Sequence, residues 1–244
     1  MKVFYHIGSY FIMLGQMLTQ PENYKVYLTE LFRQMNLIGV GSLIIVSIIS
    51  FFVGAVTAVQ FAFQLDSGFF PKYLLGFIVR DTMLIELAPT LSCLVLAGKV
   101  GSNMSSELGS MRLSSQIDAL EVMGINGLSY LVLTKIVAAI IIVPPLIIYS
   151  TLLGCIGGMF GTVNYGISPT SYYQGLLYVF NGFNVFIMLC KAVVFAFLVA
   201  SVPCYQGYHV QGGALEIGKA NTRAVVYSSI LIILFDYLLA FILT

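Results

Sequence analysis

The chain is 244 residues long, 59% hydrophobic and only 9% charged. A soluble monomer of that composition would expose far more apolar surface than water tolerates, so the chain reads as an integral membrane protein. Its formal net charge of +1, from 11 Lys and Arg against 10 Asp and Glu, forms no basic field or polybasic patch and excludes nucleic acid as a natural partner.

At the N-terminus, Phe4, Ile7, Phe11, Leu14 and Leu18 recur at helical spacing, followed by Pro21 and a charged segment with Glu22, Lys25, Glu30 and Arg33. The pattern predicts an amphipathic helix lying in the membrane interface, with residues 1–35 set apart from a five-span body at 36–244; a sixth span is the alternative. Lys2 precedes only a short apolar stretch with no small-residue cleavage site before Pro21, so no removable signal is expected. Apolar runs of about 20 residues then predict five spans, near Asn36 to Leu65, Leu74 to Val100, Tyr130 to Phe160, Phe183 to Cys204 and Ala224 to Leu243. The expected fold is therefore all-α.

The second span carries Glu86. Counted from Leu74, twelve residues at about 1.5 Å each place it about 18 Å along the helix, close to mid-membrane, with Pro89 disturbing the backbone ladder beside it. An ionised carboxylate at that depth costs about 2.5 to 3.5 kcal/mol and marks a functional path. The competing reading is a protonated or hydrogen-bonded carboxyl that only ties helices together.

Between the second and third spans lies the polar stretch from Lys99 to Asn126. Within it, Ser115 and Asp118 have capping-box spacing and Gly124 stands where a helix stop belongs, which predicts a surface helix over Ser115 to Met123. Leu113, Ile117 and Leu120 would share one face, with Asp118 and Glu121 near its edge. In the third span, Gly154 with Gly158 and Gly157 with Gly161 have G-x-x-x-G spacing, read as close helix packing and weak evidence for a dimer face, and Pro144 and Pro145 should bend the helix. The connection from Gly161 to Gly182 carries no charge. Lys191 in the fourth span and Asp236 in the fifth are intramembrane charges of opposite sign, whose simplest fate is a structural ion pair.

Positive charge orients the chain. Lys2, Lys25 and Arg33, then Lys99, Arg112 and Lys135, then Lys219 and Arg223 fall on one side, which becomes the cytoplasmic side. Lys72 and Arg80 lie on the other, offset by Asp66 and Asp81. Four cysteines, Cys93, Cys155, Cys190 and Cys204, lie mostly inside apolar runs without C-x-x-C spacing and read as packing residues, so neither metal nor cofactor is expected. The sequence contains no G-x-x-x-x-G-K-[ST] phosphate loop, H-E-x-x-H or G-x-S-x-G, so it is read as a non-enzyme that would draw on a partner for ATP hydrolysis.

The run ELAPTLSCLVLAGKVGSNMSSELGSMRLSSQIDALEVMGIN, from Glu86 to Asn126, resembles the signature of the MlaE-type permeases, membrane subunits of ABC transporters that work with MCE-domain proteins to move lipids across the envelope. Two weaker blocks extend the likeness, from Cys204 to Ser229 and at Phe235, Asp236 and Tyr237. The resemblance implies a homodimeric permease of the bacterial inner membrane, two cytoplasmic ATP-binding subunits, an MCE-domain ring on the opposite face, and phospholipid as cargo. It further implies a coupling helix at Ser115 to Met123, with Arg112, Ser115, Ile117, Asp118, Leu120 and Glu121 as the ATPase-coupling residues, and a lipid-pocket glutamate at Glu86. This chain departs from many relatives at Ile85, where they carry Arg, at Gly127, where they carry Pro, and at Thr134 and Lys135, where they carry a Pro-Arg pair. The rival readings are a proton- or ion-coupled secondary transporter, using Glu86, Lys191 and Asp236 as a relay without visible inverted repeats, and an assembly scaffold that transports nothing.

Overall fold

A computed structural model describes residues 2–17, 24–65 and 71–243, all within helices or the short turns between them. A 15-residue helix α1 (Lys2–Gln16) is followed by the 42-residue α2 (Tyr24–Leu65). Then come α3 (Leu74–Leu113), the short α4 (Gln116–Val122), α5 (Leu128–Gly161), α6 (Pro169–Leu177), α7 (Gly182–Tyr208) and α8 (Ala214–Leu243). Five of these, α2, α3, α5, α7 and α8, are long and apolar enough to cross a membrane. The α1 helix, at about 1.5 Å per residue, is only about 22 Å long and falls short of the roughly 30 Å hydrocarbon core. Leu18, Pro21, Glu22 and Asp66 lie outside the described residues.

Several boundaries differ from those expected. The charged segment holding Glu30 and Arg33 is not a separate element, because α2 runs unbroken from Tyr24 through the first span. Its charges are absorbed laterally. Arg33 pairs with Glu30 at 2.8 Å and reaches Glu107 at 3.6 Å, and Glu107 in turn accepts from Lys135 at 2.5 Å. Lys135 is buried, so this basic residue ties α3 to α5 instead of facing a headgroup.

Likewise, the polar stretch starting at Lys99 is helical, since α3 continues to Leu113. Two π-turns carry the ladder onward, Met83–Leu87 and Ala97–Gly101. The first resolves the problem of Pro89. With no N–H to give, Pro89 would orphan a carbonyl one turn back, and the wider turn, closed by Ala88 N–H to Met83 O, redistributes those bonds just before it.

The third span packs as its glycines suggest, but within the chain. A methyl group on Gly157 would overlap the Phe51 carbonyl, and one on Gly161 the Ala55 carbonyl. The Gly157 and Gly161 face of α5 therefore lies against the backbone of α2, as small residues allow, while Gly154 and Gly158 leave room for the side chains of Met83 and Tyr172. Deeper in the same contact, Ser50 and Ser92 both meet Ser150, at 2.6 Å and 2.8 Å, so three spans share one hydroxyl chain. Pro144 and Pro145 are accommodated inside a continuous α5.

On the opposite face, the uncharged connection contains an unforeseen helix, α6, whose start is marked by Ser168 accepting from Ser171 N–H at 3.2 Å ahead of Pro169. Its C-terminal carbonyls are capped by Arg80, which donates to Leu176 O at 2.7 Å and Tyr178 O at 2.9 Å and pairs with Asp81 at 2.8 Å. Arg80 is buried between Phe77 and Phe180. This positive charge on the far side is consumed internally, which is why it does not contradict the orientation.

Candidate functional site

Three spans bring charge to within about 7 Å of a common depth. Measured at about 1.5 Å per residue from the ends of their helices on the α6 side, Glu86 of α3, Lys191 of α7 and Asp236 of α8 stand about 18, 14 and 11 Å in. Lys191 Nζ lies 2.7 Å from Glu86 Oε2 and 2.6 Å from Asp236 Oδ1. Thr90 Oγ1, one turn beyond Glu86, donates to Asp236 Oδ2 at 3.1 Å. The Lys191–Asp236 pair is therefore present but not closed: Glu86, set apart from it in the leading reading and grouped with it only in the rival relay, is its third member. An ammonium with no water contact is tolerable only when surrounded by such acceptors, and two carboxylates offer more stabilisation than one.

The three charges differ in access. Lys191 is 0% exposed and Asp236 side chain 10%, whereas the Glu86 side chain is 47% exposed. Glu86 also sits on the π-turn Met83–Leu87. It is therefore the member of the triad that can exchange its partner for a molecule outside the chain. The neighbouring Ile85, half-buried, adds no charge there.

At the opposite end of α3, the predicted surface helix exists as α4, seven residues over Gln116–Val122, shorter than the expected Ser115 to Met123. Its stop is as expected. Gly124 has φ +82, with Gly124 N–H bonded to Glu121 O and Ile125 N–H to Leu120 O at 3.0 Å each, the paired bonds of a Schellman motif. Its start is different. Ser115 does not form a capping box; it adopts a left-handed conformation at φ 55 and makes no side-chain cap bond. Asp118 instead accepts from Arg112 at 2.7 Å. The sharp reversal between α3 and α4 takes precedence over the cap, because a residue at positive φ cannot turn its hydroxyl to the first amides of the helix.

The residues that the resemblance assigns to coupling then divide. Ile117 is 0% exposed, packed inward beside Gly127, and Leu120 is half-buried against the core. These two anchor α4 to its own chain. Arg112 and Asp118 pair across the turn, with the Arg112 guanidinium 5.7 Å over the Tyr208 ring. Tyr208 Oη donates to Glu121 at 3.1 Å. Tyr208, at the end of α7, is a residue the sequence reading missed, and nothing in its local pattern singles it out. The outward surface of α4 is made by Ser115, Gln116, Asp118 and Glu121, with Val122 89% and Met123 66% exposed.

Five membrane-length helices, with ion-paired charge buried at mid-depth, define a multi-pass membrane protein of the transport class. The chain matches the family described as Permease MlaE over residues 31–242. It is 34% identical over 230 residues to a probable ABC transporter permease protein of Rickettsia prowazekii, covering 94% of this chain and 87% of the relative. A probable ABC transporter permease protein of Synechocystis is 30% identical over 241 residues, covering 98% and 91%. The intermembrane phospholipid transport system permease protein MlaE of Haemophilus influenzae is 29% identical over 234 residues, covering 94% and 88%. The chain belongs to the MlaE permease family, a family of transport subunits and not of enzymes.

Proposed function

We propose that this permease moves phospholipid, working as a homodimer in the bacterial inner membrane. ATP-binding subunits would dock on α4 and an MCE-domain protein on the opposite face. The observation that carries the reading is the Glu86–Lys191–Asp236 triad, held at mid-depth with only Glu86 open to the outside. A zwitterionic headgroup arriving beside it meets a carboxylate for its ammonium, and where Glu86 turns away, the Lys191 ammonium is uncovered for its phosphate. The family assignment and the phospholipid system of the Haemophilus influenzae relative support this cargo.

The path from ATP to cargo follows from which helices α4 holds. Arg112 belongs to α3 and Tyr208 to α7, the helices that carry Glu86 and Lys191. A partner that pulls on α4 therefore pulls on both, and α3 carries π-turns at Met83–Leu87 and Ala97–Gly101 where such motion can be taken up. Partner contact falls on Val122, Met123, Asp118 and Glu121, while Ile117 and Leu120 keep the lever attached. Affinity purification of the chain from its native membrane, with identification of copurifying subunits and lipid, tests the assignment. The expected result is a P-loop protein, an MCE-domain protein and bound phospholipid; a protein that purifies alone and supports ion-driven transport would reverse it.

A further inference from the structure

Between α1, α7 and α8 runs a groove of about 680 Å³ that belongs neither to the triad nor to the α4 surface, within the roughly 300–1,000 Å³ of ordinary ligand pockets. Its lining changes character along its length. Near the α4 end lie His6, Tyr10, Tyr205, Gln206, Arg223 and Tyr227; deeper in, the walls are apolar, with Leu198, Val202, Leu231 and Phe235. From Arg223 to Phe235 is twelve residues of α8, about 18 Å, against about 15 Å for half of a hydrocarbon core. One leaflet thus fits the groove end to end.

The walls are preformed. Tyr10 Oη donates to Ser201 at 2.7 Å, and His6 Nδ1 meets Tyr205 Oη at 3.0 Å, locking α1 across the floor. Arg223 is held only loosely, 3.5 Å from Glu216, and stays half exposed. The α1 helix precedes the residues that carry the family match, 31–242.

We infer that this groove holds one glycerophospholipid of the leaflet on the α4 side, its phosphate at Arg223 and one acyl chain laid between α7 and α8. An apolar channel open to a bilayer is not filled by water, and a cation at the headgroup level selects a phosphate over a neutral end. The lipid would glue α1 to the bundle. The site rests on membrane insertion alone and not on the cargo proposed above.

The test is a photoreactive benzoylphenylalanine placed at Ile230, at the groove, and separately at Phe241, which is exposed on α8 beyond it. The full chain is irradiated in membranes, purified in detergent and weighed intact. The expected result is an adduct of phospholipid mass at position 230, at least about tenfold above that at 241 and reduced about tenfold by Arg223→Gln or Leu198→Trp, a change equivalent to about 1.4 kcal/mol. Helix content by circular dichroism establishes that both variants fold. Equal adducts at the two positions, insensitivity to both variants, or an adduct with a second polypeptide would overturn the site. Loss of lipid transport in Glu86→Gln with the adduct at 230 unchanged separates this lipid from the cargo.

Discussion

Replacing Lys191 with Met is the most informative single perturbation of the fold. The ammonium is wholly buried and contacts two carboxylates at 2.7 and 2.6 Å. Methionine fills the same volume but leaves Asp236, 10% exposed, beside Glu86 with no cation between them. Removing one partner of a buried pair costs about 3–5 kcal/mol. The share belonging to Glu86 is smaller, because its carboxylate is half exposed at the surface of the chain and can take another partner in place of Lys191. Most of the loss therefore belongs to Asp236, and Lys191→Met with Asp236→Asn should recover part of it, with a coupling of about 0.5–3 kcal/mol. Reversible unfolding of the purified protein in lipid nanodiscs, followed for the single variants and the double, measures this. A Lys191→Met protein as stable as the parent, or a double variant whose loss is the plain sum of the two singles, would refute the shared triad.

Three further outcomes follow from the same geometry. Arg80→Met should release the C-terminal carbonyls of α6 at a cost of about 3 kcal/mol, visible as faster amide exchange over residues 169–181 while the exchange of α5 stays slow. Gly124→Ala forces a methyl group into a left-handed conformation and should cost about 1–2 kcal/mol, read as local fraying of α4 by the same method; unchanged protection there would count against the helix stop. Met123→Glu, on the outward tip of α4, should lower copurification of the ATP-binding subunit about tenfold with membrane insertion intact. Undiminished copurification would move the docking surface elsewhere.

The spans and their buried charges were legible in the sequence because a charge in an apolar run is conspicuous and has few ways to be satisfied. That Lys191 and Asp236 meet followed from sign alone. That Glu86 joins them entered only through the rival relay reading, since it lies 105 residues from Lys191 and the packing of α3 against α7 brings them together. Counting the depth of all three from the same face would have indicated it. Around α4 the local pattern was half informative: Gly124 marks a stop because only its conformational freedom suits that turn. The Ser115 and Asp118 spacing misled, because tertiary demands placed Ser115 in the reversal and gave Asp118 to Arg112. Periodicity placed Ile117 on an apolar face without saying whether that face turns toward a partner or toward the chain's own core, where its side chain is buried. The α6 helix was overlooked for lack of charge and length, although Ser168 before Pro169 is a helix start by its chemistry.

We propose that Glu86 lines the lipid path and that ATP-driven movement of α3 and α7 uses it. The direct test is ATP-dependent transfer of labelled phospholipid between vesicles by the reconstituted complex, comparing the parent chain with Glu86→Gln. Glutamine keeps the size and the hydrogen bond to Lys191 and removes the charge. Transfer should fall about tenfold or more, the effect of losing about 1.4 kcal/mol at the transfer barrier, with assembly and ATP hydrolysis preserved. Transfer at the parent rate would contradict the account and leave Glu86 as a tie between helices.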